Sequence, residues 1–187
     1  MKAEKIAEGV TFPFYPMRPR LGESITQANV RLALRRAKAD GYLVQPKLNG
    51  DRVLVAVLED HRVLAVTRHN SPYSFKVMNL ELFAGLPAMT VLDGEVYRRQ
   101  FYPFEAVAVA GESLVDSGPE ERAPRARELC HRLGVAWQFD APTARFMENR
   151  RGNLPVWEGV VLKKLGSRYL PLGSEAQESA TWVKRRW

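Results

Sequence analysis

An Asn-Gly pair set between two strand-like runs, in the stretch "VQPKLNGDRVLVAV" that begins at Val44, constrains this chain more than any other feature. Asn-Gly is a strong short-range signal for a tight hairpin turn, because both residues tolerate positive φ. The spacing predicts a turn at 48–51 between strands over 42–47 and 52–59. It also sets one lysine, Lys47, at a strand end, with Pro46 before it and Arg52 five residues on. A lysine beside a turn is ordinarily solvated, so the rest of the chain has to decide whether this one does chemistry.

Strand signals dominate the remainder of the chain. Residues 62–69, 90–98, 103–111, 158–165 and 180–187 read as further strands. Helical spacing of apolar residues appears in 25–40, stopped by Gly41, and in 119–134, stopped by Gly134. A short helix is expected within 76–86, a loop over 166–180, and an irregular lead-in over 1–27. Runs of strands with helices between them predict an α+β fold of mostly antiparallel β-sheets flanked by helices. With 187 residues and no composition break, the expectation is one domain over 1–187.

Composition excludes several classes. A 45% hydrophobic content supports a core, and no apolar run reaches the ~18 residues that span a bilayer. The start "MKAEKIAEGV" lacks the apolar centre of a signal peptide, so an intracellular (cytoplasmic) location with no membrane partner is expected. One cysteine, Cys130, leaves no internal disulfide and no cysteine-based zinc site. A net charge of +7, mostly from arginine, suits a polyanionic partner such as nucleic acid.

Three later segments give Lys47 company. "VLDGEVY" puts Asp93 and Glu95 on one face of a strand, since strand side chains alternate. "WEGVVLKK" supplies Glu158 and, beyond an apolar stretch, Lys163. "WVKRRW" puts Lys184 and Arg186 on one face, with Trp182 nearby. Carboxylates and cations gathered at strand ends fit a nucleotide bound with its metal.

The motifs "KLNGDR", "LDGEVY", "FEAVAVAG", "EGVVLK" and "WVKRRW", in this order, resemble those of ATP-dependent DNA ligases and related nucleotidyltransferases. That superfamily also holds RNA ligases and mRNA-capping guanylyltransferases. The resemblance runs from about Pro16 to the end, and "VTRHN", with Arg68, looks more like the DNA ligase branch. It implies an ATP-grasp-like nucleotidyltransferase (adenylation) domain. Lys47 would attack the α-phosphate of ATP, giving a lysine–AMP intermediate. AMP would pass to the 5′-phosphate of a nick in double-stranded DNA, or in RNA, and the nick would be sealed.

Further roles are implied by motif. Lys163 and Lys184 would reach the α-phosphate and help Lys47 lose its proton. Arg52 and Glu95 would contact the ribose, and Phe104 and Val160 would pack on the two faces of adenine. Gln45, facing the same way as Lys47, would read the edge of the base. Glu158, with Asp93, would hold Mg²⁺. Arg68 and Arg186 would touch the nucleic-acid backbone.

Some residues depart from the family pattern. Asn49 stands where the family has aspartate, Arg186 where many relatives have lysine, and Gln45 where glutamate is frequent. The family's small OB-fold domain would follow the last motif, and the sequence stops at Trp187. A monomer that takes an OB-fold from a partner or a separate domain is therefore the expectation. A non-catalytic nucleotide- or nucleic-acid-binding module is the alternative from another class.

Overall fold

The structure is a computed structural model that describes residues 2–25, 30–74, 81–135, 137, 139, 157–171 and 178–186. It is α+β, as the strand and helix signals predict. A hairpin, β1 (Glu4–Ala7) and β2 (Val10–Phe12), leads into β3 (Arg18–Leu21) and helix α1 (Val30–Ala39). Next come β4 (Tyr42–Leu48), β5 (Asp51–Val57), β6 (Val63–Thr67), a 3-10 turn at Glu81–Gly85 and β7 (Thr90–Tyr97). The chain continues with β8 (Gln100–Val109), β9 (Glu112–Ser113), helix α2 (Pro119–Arg132), β10 (Trp157–Lys164) and β11 (Glu178–Arg186).

Two larger sheets result. One has the order β3-β11-β10-β4 and the other β6-β5-β7-β8-β9. All pairings within them are antiparallel except β11 with β3. The 1–27 segment is more ordered than its proline and glycine content suggests. Ile6, Ala7, Val10 and Phe12 of the first hairpin are buried against Leu54, Ala56 and Val91 of the five-stranded sheet. The apolar anchors are present in the sequence, but each strand is too short to stand out by alternation.

The largest departure is at Asn49–Gly50. The β4 and β5 strands do not pair, because β4 belongs to the four-stranded sheet and β5 to the other. The connection is a crossing between sheets, and neither Asn49 nor Gly50 takes a positive φ. Gly50 is there for closeness: a Cβ on it would lie 2.2 Å from the Val96 carbonyl oxygen. The run from Val53 to Leu58 is buried throughout, so β5 sits inside its sheet between β6 and β7 and has no edge to offer β4.

Each sheet has its own outer cover. Helix α1 packs Leu34 and Ala37 against Val44, Val160, Leu162 and Val183 of the four-stranded sheet. It ends where Gly41 adopts φ +74 and its N–H reaches the Lys38 carbonyl, the left-handed stop that glycine makes easily. Helix α2 sets Ala126 and Leu129 against Val53, Val55, Leu92 and Ala106 of the five-stranded sheet. The inner faces look at each other, joined by a core that includes Phe14, Leu54, Tyr169 and Trp182. Among the described residues, no helix is long and apolar enough to cross a membrane.

Candidate active site

Where the two inner faces diverge they leave a cleft of about 620 Å³. Register explains its lining. Val161 lies opposite Gln45 on one side and Lys184 on the other. Gly159 lies opposite Lys47 and Arg186, and Lys163 opposite Trp182. Paired residues in a sheet point the same way, so Gln45, Lys47, Val161, Lys163, Trp182, Lys184 and Arg186 all face the cleft. The other sheet contributes Asp51, Arg52, Glu95 and Phe104, and Arg68 joins them from just past β6.

Phe104 reaches the cleft because β8 is irregular. Asp93 pairs with Glu105 and Gly94 with Pro103, so Phe104 is an extra residue bulged out of the ladder. A bulge re-aims a side chain, and this one sets the Phe104 ring edge-on to Phe139, 5.6 Å between centroids. Gln45 Nε2 donates to the Phe104 carbonyl at 3.3 Å, tying the two sheets together at the cleft wall.

Lys47 stands near the middle of this lining with its side chain 18% exposed. Its ammonium is ion-paired with Glu158, which also has Arg186 at 3.8 Å. Lys163 lies deeper. Its Nζ sits 4.4 Å from the Phe104 ring centre and 4.1 Å from that of Trp182, and donates to Glu105 Oε1 at 2.8 Å. Burial pulls the Lys163 pKa down to about 8, against the pull of Glu105. Lys184 is also lowered, by partial burial and by the charges of Arg18, Arg186 and Lys47. Glu95 accepts the Gly50 N–H at 3.1 Å. Burial pushes its pKa up to about 7, though Arg52 and Lys47 oppose the shift.

Two expected site residues are placed elsewhere. Asp93 does share a face with Glu95, but it is fully buried and does not line the cleft. Arg52 grips it through Nε at 3.0 Å and a terminal nitrogen at 2.5 Å, and Tyr169 donates its hydroxyl at 2.8 Å. Three protein donors already hold this carboxylate and it has no exposure to the cleft, so it does not fit a metal ligand. The same contact holds Arg52 at the cleft floor: burial opposes the guanidinium charge, and Asp93 more than compensates. Val160 is turned away into the α1 core, and Val161 takes the cleft position. Alternation from Lys163 backward gives Val161, and the valine pair "VV" hides which of the two it is.

The network behind the cleft goes beyond the sequence reading. Glu105 and Arg122 are both completely buried. Glu105 accepts from Lys163 on one oxygen and from Arg122 Nε at 3.0 Å on the other. Arg122 also donates to the Ser167 carbonyl at 3.0 Å. The available signal is a single carboxylate inside the apolar strand "PFEAVAVAG", since a buried charge has to be paired. Arg18, from the segment read as irregular, also lines the cleft.

No family model and no curated protein matches the sequence. Solved structures do. The ligase domain of LigD from M. tuberculosis is 21% identical with a TM-score of 0.66, over 92% of this chain and 59% of that one. A mycobacterial DNA ligase D complexed with ATP and MES is 19% identical with a TM-score of 0.65, over 92% and 60%. An archaeal ATP-dependent RNA ligase is 15% identical with a TM-score of 0.50, over 94% and 48%. The chain thus spans about three-fifths of the first two. Two mostly antiparallel sheets, each backed by a helix and facing each other across a cleft, give this chain the fold of the LigD ligase domain.

Proposed function

We propose that this chain is the adenylyl-transferring domain of an ATP-dependent polynucleotide ligase acting on nicked DNA. The observation that carries the reading is Lys47 in the cleft, with Lys163 on the adjacent strand β10 and Lys184 on β11 beyond it, all on the same face. One amine serves as nucleophile. The other two are cations placed to meet the charge that develops on a phosphate during displacement. The ATP named with the mycobacterial ligase D fits a cleft of this size and charge.

Lys47 has to leave its ion pair with Glu158 and give up a proton before it can attack. Its Nζ then bonds to the α-phosphorus of ATP, and the bond from that phosphorus to the bridging oxygen breaks, releasing pyrophosphate. A 5′-phosphate oxygen at the nick displaces Lys47 and takes the AMP. The 3′-hydroxyl attacks that 5′-phosphate, a phosphodiester forms, and AMP leaves. Phe104 offers a stacking face for adenine, Val161 is the aliphatic residue on the facing sheet, and Gln45 meets the base edge. Glu95, in the cleft lining, would accept a ribose hydroxyl, and the exposed Arg68 and Arg186 would meet the nucleic-acid backbone.

The donor set bears on magnesium. Mg²⁺ in nucleotide sites often needs only one or two carboxylates, because phosphates and water complete the shell. Glu158, 24% exposed in the cleft, fits that role, and no cluster of three or more acidic, His or Cys ligands exists among the described residues. Mg²⁺ would supply charge neutralisation on the phosphates.

Incubating the protein with ATP labelled at the α-phosphorus tests the reading. The expected product is an acid-labile, alkali-stable adduct of one AMP on Lys47, lost to background in Lys47→Ala. Equal labelling of that variant would overturn the assignment. A second reading, RNA ligation, rests on the archaeal RNA ligase likeness. Comparing nicked DNA with nicked RNA as AMP acceptor separates the two, and GTP in place of ATP checks the guanylyltransferase alternative.

A further inference from the structure

The hairpin that joins β7 to β8 closes in two residues, because Tyr97 pairs directly with Gln100. Those two residues are Arg98 and Arg99, with φ of 49° and 66°. A two-residue turn with both φ values positive matches the twist of a hairpin, and its natural occupants are Asn-Gly or Gly-Gly. A residue with a Cβ is strained there. The next turn of the same sheet, Ala110–Gly111, also has two positive values, 51° and 81°, but gives one position to glycine. At 98–99 the chain instead holds two long cationic side chains, both residues exposed, in a conformation that disfavours them. Strain of this kind persists where something other than stability keeps it.

Its location says what that is. The tip begins just beyond Glu95, which lines the cleft. At the rise of a strand, Arg98 stands roughly 10 Å farther out. The tip is braced: the Arg98 guanidinium lies 5.3 Å from the centre of the Tyr97 ring, and Tyr97 packs on the cluster of Leu48, Tyr102 and Phe139. Leu48 and Phe139 are themselves cleft residues. So the two arginines stand at the end of the cleft wall, outside the cleft lining and well placed for whatever continues beyond it. Arginine forks match phosphate oxygens in pairs, and a rigid turn presents them with little flexibility to lose.

We propose that the Arg98–Arg99 tip grips the sugar-phosphate backbone of the duplex flanking the nick. This rests on the ligase reading of the cleft. The grip sets position and adds affinity, and it is indifferent to base sequence.

The test replaces the tip with the turn that its geometry favours, Arg98→Asn with Arg99→Gly. Binding to a nicked DNA duplex is measured by fluorescence anisotropy across a salt series, beside urea unfolding and AMP loading of Lys47. Relief of strain should raise the urea midpoint, and AMP loading should keep its rate. Duplex affinity should fall, and the slope of log K against log salt should become shallower by about two, one for each phosphate no longer neutralised by an arginine. A charge-reversed tip, Arg98→Glu with Arg99→Glu, should weaken binding further. Unchanged affinity and slope in the Asn-Gly variant would overturn the proposal. So would a lowered urea midpoint, because the native turn would then not be strained, or a wild-type protein with no affinity for the duplex. Duplex binding that behaves as expected while Lys47 takes no AMP would sink the ligase reading and leave the tip's grip on the duplex standing.

Discussion

Asp93 and Glu95 show how much one pair of strand positions decides. They share a face and lie two residues apart, yet one is sealed under Arg52 and Tyr169 and the other opens to the cleft. The Glu95 carboxyl has too few partners for its burial, and its pKa rises to about 7 from an ordinary 4.5. A carboxyl raised in the folded state contributes stability that is full below its unfolded value and is lost as pH rises through the folded one. Glu95 should therefore drain stability between about pH 4.5 and pH 7. Glu95→Gln removes that loss, so its urea midpoint should exceed wild type at pH 7.5 and match it near pH 4. Parallel pH profiles for the two proteins would contradict the assignment. Lys163 has the opposite sense: its lowered pKa of about 8 means that stability from this group is present at high pH and falls as pH drops through 8.

Strand β10 is the element on which the site is hung. It pairs with β4 on one side and β11 on the other, so Lys47, Lys163 and Lys184 share one face, stepped along it at the levels of Gly159, Lys163 and Val161. Its register depends on Gly159, which has φ +155 and faces Lys47 across one ladder. A Cβ there would lie 2.1 Å from the Arg185 carbonyl oxygen, so no side chain fits without parting β10 from β11. Gly159→Ala should cost about 1–3 kcal/mol as a forced insertion into packed structure. Because Glu158 and Lys47 adjoin the break, AMP loading should drop more than the loss of folded protein accounts for. Urea unfolding and loading, both measured on purified folded variant, separate these effects. A variant as stable and as active as wild type would show that β10 is not held this tightly.

At the scale of the molecule, the two sheets are bound to each other by a few polar ties set in shared apolar contacts. The segment after β10 is one such tie. The Tyr169 N–H donates to the Val115 carbonyl at 2.7 Å, and its hydroxyl donates to Asp93. Its ring meets Phe14 and Trp182 edge-on, with centroids 6.1 and 5.9 Å apart. Trp182 belongs to the four-stranded sheet and Asp93 to the five-stranded one, so Tyr169 touches both. Tyr169→Phe keeps the ring and deletes the hydrogen bond to a buried carboxylate. It should cost about 1.5–3 kcal/mol of stability. Tryptophan fluorescence and far-UV circular dichroism should still report one coincident urea transition, since neither sheet can expose its inner face alone. Two separate transitions would show that the sheets unfold independently.

The sequence by itself determined the two helices and the longer strands, the mostly antiparallel sheets, and which side chains of β4 and β11 look the same way, but not the short strands β1 to β3. Alternation within a strand is local, so Gln45 with Lys47, and Lys184 with Arg186, were legible from spacing. Tertiary structure decided which strands are neighbours and how deep each side chain lies. That is why an Asn-Gly pair forms a crossing between sheets, why Asp93 is a buried anchor, and why Val161 takes the place expected of Val160. Depth depends on what the facing sheet and the bulge at Phe104 leave open, and those distances arise between residues far apart in the chain.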